Sequence, residues 1–290
     1  MKSQPDNTAY DPDTVVIGLD IDGTQYMYAD PSQDVHSDAL IATLSHLREE
    51  NRAFVVHDTG RPFPWKCYGD INDRYLNPRI AEPDVMVSHA GTVVWWPPFD
   101  KPDQEWRNHI LSKTSLEEID ELKTDLQAIG LDLHPEAHDA EFKISCLVGD
   151  VDQQEVVASA KELIAQKYGG RFEVFFWNSA TVDVTPVGAN KKDALNYVRG
   201  KVGLGQAKTI VAGDSMNDYP MLAEPKFSRI LVGNASSPLK DAFARQQGAF
   251  IADESQPAAQ GVLAGLAHFG VTEPNYVPAP RTQRVWSRQP

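Results

Sequence analysis

Cysteine is nearly absent from this chain. Two residues, Cys67 and Cys146, occur in 290, and they form neither a disulfide framework nor the close spacing of a zinc or redox site. Both thiols are therefore expected to be packing residues. Long apolar runs are also missing: nothing approaches the ~20 residues that a bilayer-crossing helix needs, so no membrane partner is expected. The opening residues Met1-Lys2-Ser3-Gln4-Pro5-Asp6-Asn7 lack the apolar stretch of a secretory leader, and the expected location is the cytoplasm. Positive charge is scarce, with 27 Lys and Arg against 41 Asp and Glu for a net charge of −14. A field of that sign repels nucleic acid, which is excluded as a partner. It repels phosphate esters as well, so any phosphate site here must be made locally positive by a metal, a Lys, an Arg or backbone N–H groups. No internal repeat or low-complexity segment is present.

What remains is ordinary for a globular protein: 41% apolar and 23% charged residues, with enough chain for one large domain or two smaller ones. Strand-like and helix-like segments alternate, beginning with residues 15–19, 37–51 and 53–57, and this pattern predicts a parallel sheet with helices on both faces. Two short strands are expected around Ala90-Gly91. The Pro-rich stretch 96–102 then breaks the pattern. A capping box at Ser115-Leu116-Glu117-Glu118 opens a helix that Gly130 stops, and strand, helix, strand, strand follow to residue 185. The parallel pattern returns over 191–269. The expected organisation is a doubly wound, Rossmann-like α/β core at 14–97 and 187–271, an inserted α/β domain at 98–186, and tails at 1–13 and 272–290.

Asp20-Ile21-Asp22-Gly23-Thr24 follows the apolar run Val15-Val16-Ile17-Gly18-Leu19. Two carboxylates thus stand at the carboxyl end of a buried strand, where open α/β sheets bind ligands. An Asp there can attack phosphorus, and a second Asp two residues on can exchange protons with the leaving group. The Asp-x-Asp opening of a calcium loop is excluded, because that loop needs Gly sixth and Glu twelfth, and those positions hold Gln25 and Pro31. The plain alternative is a strand end with two solvated acids.

Three further clusters lie where strands or helices of the same sheet should end. Asp58-Thr59-Gly60-Arg61 offers a hydroxyl and loop N–H groups to a phosphate oxygen, or is simply a Gly turn. Gly188-Ala189-Asn190-Lys191 places a Lys at a helix start, which suits phosphate, or leaves a solvated Lys there. Gly213-Asp214-Ser215-Met216-Asn217-Asp218 carries hard oxygen ligands suited to Mg²⁺, or is a strand-to-helix turn capped by Asn217 or Asp218.

Taken in order, these four clusters resemble the motifs of the haloacid dehalogenase-like hydrolases. The mixed insert between the Thr and Lys clusters resembles the type IIB cap of the Cof-type branch. Ala90-Gly91-Thr92, Glu141-Phe142-Lys143-Ile144-Ser145, Val182-Asp183-Val184-Thr185-Pro186-Val187-Gly188-Ala189 and Leu231-Val232-Gly233-Asn234-Ala235 further resemble the sucrose-phosphate phosphatases. Gln25, Lys192, Asn190 and the polar pair His57-Asp58 depart from the pattern near the pocket, and His57 and Asp58 receive no role.

The resemblance implies Asp20 as nucleophile, Asp22 as general acid/base, and Thr59 and Lys191 as phosphate-binding catalytic groups. It implies Mg²⁺ on Asp20, the Asp22 backbone carbonyl and Asp214, with Asp218 and Asn217 orienting that shell. Substrate contacts are expected from Thr59, Gly60, Arg61, Asn190 and Lys143. Lys143 could instead be a charge guarding a strand edge. Trp95, Trp96 and Trp177 suit core packing better than sugar stacking, and none of the eight histidines is assigned. The implied reaction is hydrolysis of a small phosphorylated sugar or glycoside by a monomer or small homo-oligomer, with sucrose phosphate the first candidate. Another glycosyl phosphate, a sugar phosphomutase and a silent sugar-phosphate binding module are the alternatives.

Overall fold

The computed structural model describes residues 10–11, 13–27, 36–62, 80–135, 140–148, 153–178 and 181–273, without the side chains of 153–154 and 176–178. The tails expected at 1–13 and 272–290 fall almost wholly outside these residues, as do Cys67 and the Trp177 side chain.

Seven strands form the main sheet, in the order β11-β10-β9-β1-β2-β3-β4. They are β1 (Val15–Leu19), β2 (Ala53–Asp58), β3 (Val85–Ser88), β4 (Val93–Trp95), β9 (Thr209–Gly213), β10 (Ser228–Leu231) and β11 (Ala249–Ile251). All neighbours are parallel except β4, which runs antiparallel to β3. The chain builds outward from β1 to β4, then returns on the other side of β1 at β9. That reversal of strand order is the switch point where such sheets bind ligands, and it sets the ends of β1, β2 and β9 side by side.

Helices cover both faces, and the strand register shows which residues face which helix. Leu19, Ala212 and Ile230 are register partners and share a face. A Cβ at Gly265, in α8 (Ala258–His268), would press on the Ile230 side chain, and α8 packs against α1 (Ser37–Glu49) on that face. A Cβ at Gly18 would instead meet Leu195 of α5 (Lys191–Lys201). Alternation along a strand then sends Gly18 and Asp20 toward α5. The same register puts Asp58 on the α5 face and His57 on the α1 face.

Four antiparallel strands form a second sheet, β5-β6-β8-β7, from β5 (Asp132–Leu133), β6 (Ile144–Leu147), β7 (Phe172–Asn178) and β8 (Thr181–Pro186). Its stretch of chain also holds α2 (Gln104–Leu111), α3 (Leu116–Ala128) and α4 (Gln153–Tyr168). The Ser115–Glu118 capping box forms as expected. Sequence reading missed α2, β5 and β11. The strands are only two and three residues long, below the span over which alternation is legible. Two shorter helices, α6 (Tyr219–Leu222) and α7 (Ser237–Phe243), complete the core.

Asp103 ties the segment leaving β4 to α5. Its Oδ1 caps α2 by accepting from Glu105 N and Trp106 N. Its Oδ2 accepts from Trp96 Nε1 at 2.5 Å, Tyr197 Oη at 3.1 Å and Lys201 Nζ at 2.7 Å. Burial opposes the charge, but the Lys201, Trp106 and Trp96 hydrogen bonds outweigh it and hold the pKa below the usual carboxylate value. Asp103→Ala is expected to remove a helix cap and strand these donors. It should cost about 2–4 kcal/mol, read as a lowered denaturant midpoint at unchanged slope.

Candidate active site

Lys191 stands at the first turn of α5 and is buried to 1% exposure. A buried ammonium must be paired and hydrogen-bonded, and this one spends its three donors fully. Nζ donates to Asp20 Oδ1 at 2.7 Å, to Asp218 Oδ1 at 2.7 Å and to the Asp58 carbonyl at 2.8 Å. Burial would lower the Lys191 pKa, but Asp20, Asp218 and Asp58 outweigh it and raise it, so the charge stays. The loops after β1, β2 and β9 thereby meet at one atom.

Asp218 also closes the β9 turn. Its Oδ2 accepts from Asp214 N at 2.9 Å and Ser215 N at 3.1 Å. Ser215 precedes the short turn Met216–Asp218 as its cap, Asp218 stands at the cap position of α6, and Asn217 accepts from the Ser215 hydroxyl. Gly23, at φ 77°, lets the β1 loop approach this turn. A Cβ there would lie 2.2 Å from Asp214 Oδ2. Asn234 adds a clamp that sequence reading left without a role. Its amide donates to Gly23 O, and its Oδ1 accepts from Ala258 N.

Carboxylates of Asp20, Asp214 and Asp218 offer oxygens within 4.8 Å of one another. Asp218 has both oxygens engaged, which fits an orienting role better than a ligand role. Asp20 has one oxygen on Lys191, and the Asp214 carboxylate takes part in no hydrogen bond among the described residues. Burial, then the charges of Asp218 and Asp22, push the Asp20 pKa to about 7 against the pull of Lys191. Burial and Asp20 likewise raise that of Asp214. One lysine is too little positive charge for this cluster. Hard oxygens with unmet negative charge fit a divalent cation of the Mg²⁺ type.

Asp22 is held differently. Its two oxygens face Arg61, with Nε to Oδ2 at 2.6 Å and Nη2 to Oδ1 at 2.7 Å. This two-point pair was not read from the sequence, where Arg61 figured as a substrate contact. Thr59 Oγ1 accepts from Arg61 N. A turn at 89–91 grips the same loop: Ala90 N donates to Thr59 O and His89 N to Arg61 O.

Lys143 reaches this loop from the second sheet. Nζ donates to Gly60 O at 3.0 Å and faces Asp183 Oδ2 at 3.3 Å, while Asp183 Oδ1 accepts from Ser145 Oγ. The edge-guard reading does not hold, because β6 lies between β5 and β8 and Lys143 is 7% exposed. Asn190 caps α5 through Asp193 N and donates to Glu173 Oε2. Gln25 donates to Asp20 O. Trp95 and Trp96 are buried, with their indole N–H groups on Ser88 Oγ and Asp103 Oδ2, and they pack as expected. Cys146 is fully buried and its thiol pKa is pushed up to about 12, again as a packing residue. Among the described residues no helix is long and apolar enough to cross a membrane.

A family model described as sucrose-6F-phosphate phosphohydrolase matches residues 13–270. Probable sucrose-phosphatase 3b of Arabidopsis thaliana is 25% identical over 201 residues, which are 66% of this chain and 46% of that protein. The mannosylfructose-phosphate phosphatase of Agrobacterium fabrum is 22% identical over 192 residues, 66% of this chain and 75% of that one. This chain spans about half the length of the Arabidopsis sucrose-phosphatases it matches. The structure of the sucrose-phosphatase from Synechocystis sp. PCC6803, in complex with sucrose and phosphate, aligns with a TM-score of 0.70 at 21% identity, over 89% of this chain and 98% of that one. A likeness at this identity shows the fold, which is that of the haloacid dehalogenase superfamily.

Asp58, like Asp214, has a carboxylate without a hydrogen-bond partner among the described residues. It is 0% exposed, and neither carboxylate oxygen is hydrogen-bonded. Burial raises its pKa well above the carboxylate range, with Lys191 opposing. A raised folded-state pKa contributes stability at pH below the unfolded value of about 4, and loses it as pH rises. Asp58→Asn in the metal-free protein is therefore expected to be more stable than the parent at pH 7, by about 1–3 kcal/mol. The gain should shrink toward pH 4, as read by thermal unfolding at both pH values.

Proposed function

Because the chain belongs to the sucrose-6F-phosphate phosphohydrolase family, we propose that it hydrolyses a phosphorylated disaccharide or related glycoside, with sucrose 6F-phosphate the first substrate to try. The observation that carries this reading is the buried Lys191 ammonium, bonded at once to Asp20, Asp218 and the Asp58 carbonyl at three adjacent strand ends. An ester phosphate arriving there meets a carboxylate, a fixed positive charge and the Thr59 loop together.

In the proposed reaction Asp20 attacks phosphorus and forms an aspartyl-phosphate. A bare carboxylate is repelled by an anionic ester, and the charge of Lys191 and the Thr59–Gly60 loop offset that repulsion in the transition state. Asp22, released from Arg61 and protonated from solvent as substrate enters, gives that proton to the leaving sugar oxygen, then takes one from the water that cleaves the acyl phosphate. Arg61 keeps the Asp22 carboxylate near the β1 strand end until substrate enters. Mg²⁺ would be held by Asp20, Asp214 and the Asp22 backbone carbonyl, and when bound it neutralises charge between nucleophile and phosphate. Asp218 and Asn217 orient that shell through the turn after β9. Residues 98–186 serve as a cap whose Lys143 bridges to the phosphate loop and excludes water.

A second reading is favoured by the Agrobacterium relative, which is named for mannosylfructose phosphate. A phosphate-release screen over sucrose 6F-phosphate, mannosylfructose phosphate and hexose phosphates separates the two. A silent binding module is disfavoured by the retention of both Asp20 and Asp22.

Asp20→Asn is expected to lower kcat by on the order of 10³ or more while circular dichroism stays native. Near-normal turnover would remove Asp20 from the nucleophile's place. Activity should also vanish on exhaustive EDTA treatment and return with Mg²⁺. Ca²⁺ should fail to restore it, because its larger and looser shell misplaces the oxygens.

A further inference from the structure

His89 lies in a tight left-handed turn, with φ 52° at His89, 56° at Ala90 and 101° at Gly91. Two residues with side chains held at positive φ cost energy, and the turn is kept by its hydrogen bonds to Thr59 O and Arg61 O. The imidazole is thereby locked beside the loop that Lys143 touches.

Hydrogen-bond counting fixes its tautomer. Ser88 is 0% exposed, and its Oγ has two partners among the described residues, Trp95 Nε1 at 2.9 Å and His89 Nδ1 at 2.9 Å. An indole N–H can only donate, so Ser88 accepts from Trp95. Among the described residues the Ser88 hydroxyl proton then has one acceptor, His89 Nδ1. Burial, then the Lys143 charge, drive the His89 pKa down to about 3, so the ring is neutral and its single proton is on Nε2. That Nε2–H is buried without a hydrogen-bond partner among the described residues, in a residue 5% exposed. A buried donor left unmade costs about 1–3 kcal/mol, and no described residue offsets it.

We propose that His89 is a substrate-reading residue whose Nε2–H donates to a hydroxyl oxygen of the sugar, at the seam between Lys143 and Gly60. This rests on the sugar-phosphate reading above. Beside this turn the Lys143 ammonium donates to Gly60 O, and its charge acts on the His89 ring. A hydroxyl can take a hydrogen bond from the imidazole and give its own to a carbonyl, whereas a phosphate oxygen can only accept. The phosphate end also has its own cation in Lys191.

The test has a spectroscopic arm and a kinetic arm. Two-bond ¹H–¹⁵N correlation spectra of histidine-labelled protein are expected to show His89 neutral and protonated on Nε2 from pH 5 to 8. A proton on Nδ1 would overturn the proposal. Adding sucrose 6F-phosphate to the Asp20→Asn protein should shift the His89 Nε2 proton, and an unmoved signal at saturation would also overturn it. In the kinetic arm, His89→Ala should lower the ratio of kcat/KM for sucrose 6F-phosphate to that for p-nitrophenyl phosphate by about three- to tenfold, mostly through KM. His89→Gln, which keeps an N–H donor, should recover most of the ratio. An unchanged ratio, or equal losses in both variants, counts against it. Failure of the underlying reading looks different: the parent protein would then release no phosphate from any sugar phosphate.

Discussion

A single buried ammonium organises this protein's chemistry. Lys191 has no access to water, so its charge is tolerable only while Asp20, Asp218 and the Asp58 carbonyl surround it. Those three groups are equally committed, because each acid is buried among others of its own sign. The arrangement is held by mutual need. It also sets one positive charge inside a chain whose net charge is −14, at the point where three of its acidic loops meet.

Around that centre, close backbone approach does work that side chains could not. Gly23 lets the β1 loop rest on Asp214, and Gly91 lets the left-handed turn rest on the backbone of Asn190 and Lys191, where a Cβ would lie 2.1 Å from a carbonyl carbon. Asn234, reaching from beyond β10 to Gly23 O, closes the ring of contacts. The active-site loops are thus braced against one another and not only against the sheet.

Much of this was legible before any coordinates. The apolar run ending in Asp20-Ile21-Asp22 reads as a strand end because a fully buried parallel strand lacks alternation. The position of Lys191 reads as a helix start, and the order of the four clusters gave the family. What could not be read was pairing. Nothing in the spacing of Asp22 and Arg61 says that they meet as an ion pair with a hydrogen bond from Nη2, and nothing marks Asp183 as the partner of both Ser145 and Lys143. Cross-strand neighbours are set by register, which emerges only when the sheet forms. Asn190 shows the converse. Its motif position suggested substrate, and the fold gives its amide a helix cap and a bond to Glu173 that the sequence did not show. His89 went unassigned because an isolated histidine carries no pattern. Its interest comes from what Ser88 and Trp95 do to its proton.

The contact between Lys191 and Asp20 joins positions 171 residues apart. Parallel sheets closed by such long loops form slowly, because closure entropy is lost before the contact repays it. The second sheet, with all its strands between residues 132 and 186, lies wholly inside that loop. Forming it first removes about a third of the freely moving chain, worth about 0.3 kcal/mol of closure entropy. The insert that carries Lys143 thus also shortens the search by which the centre of the molecule finds itself.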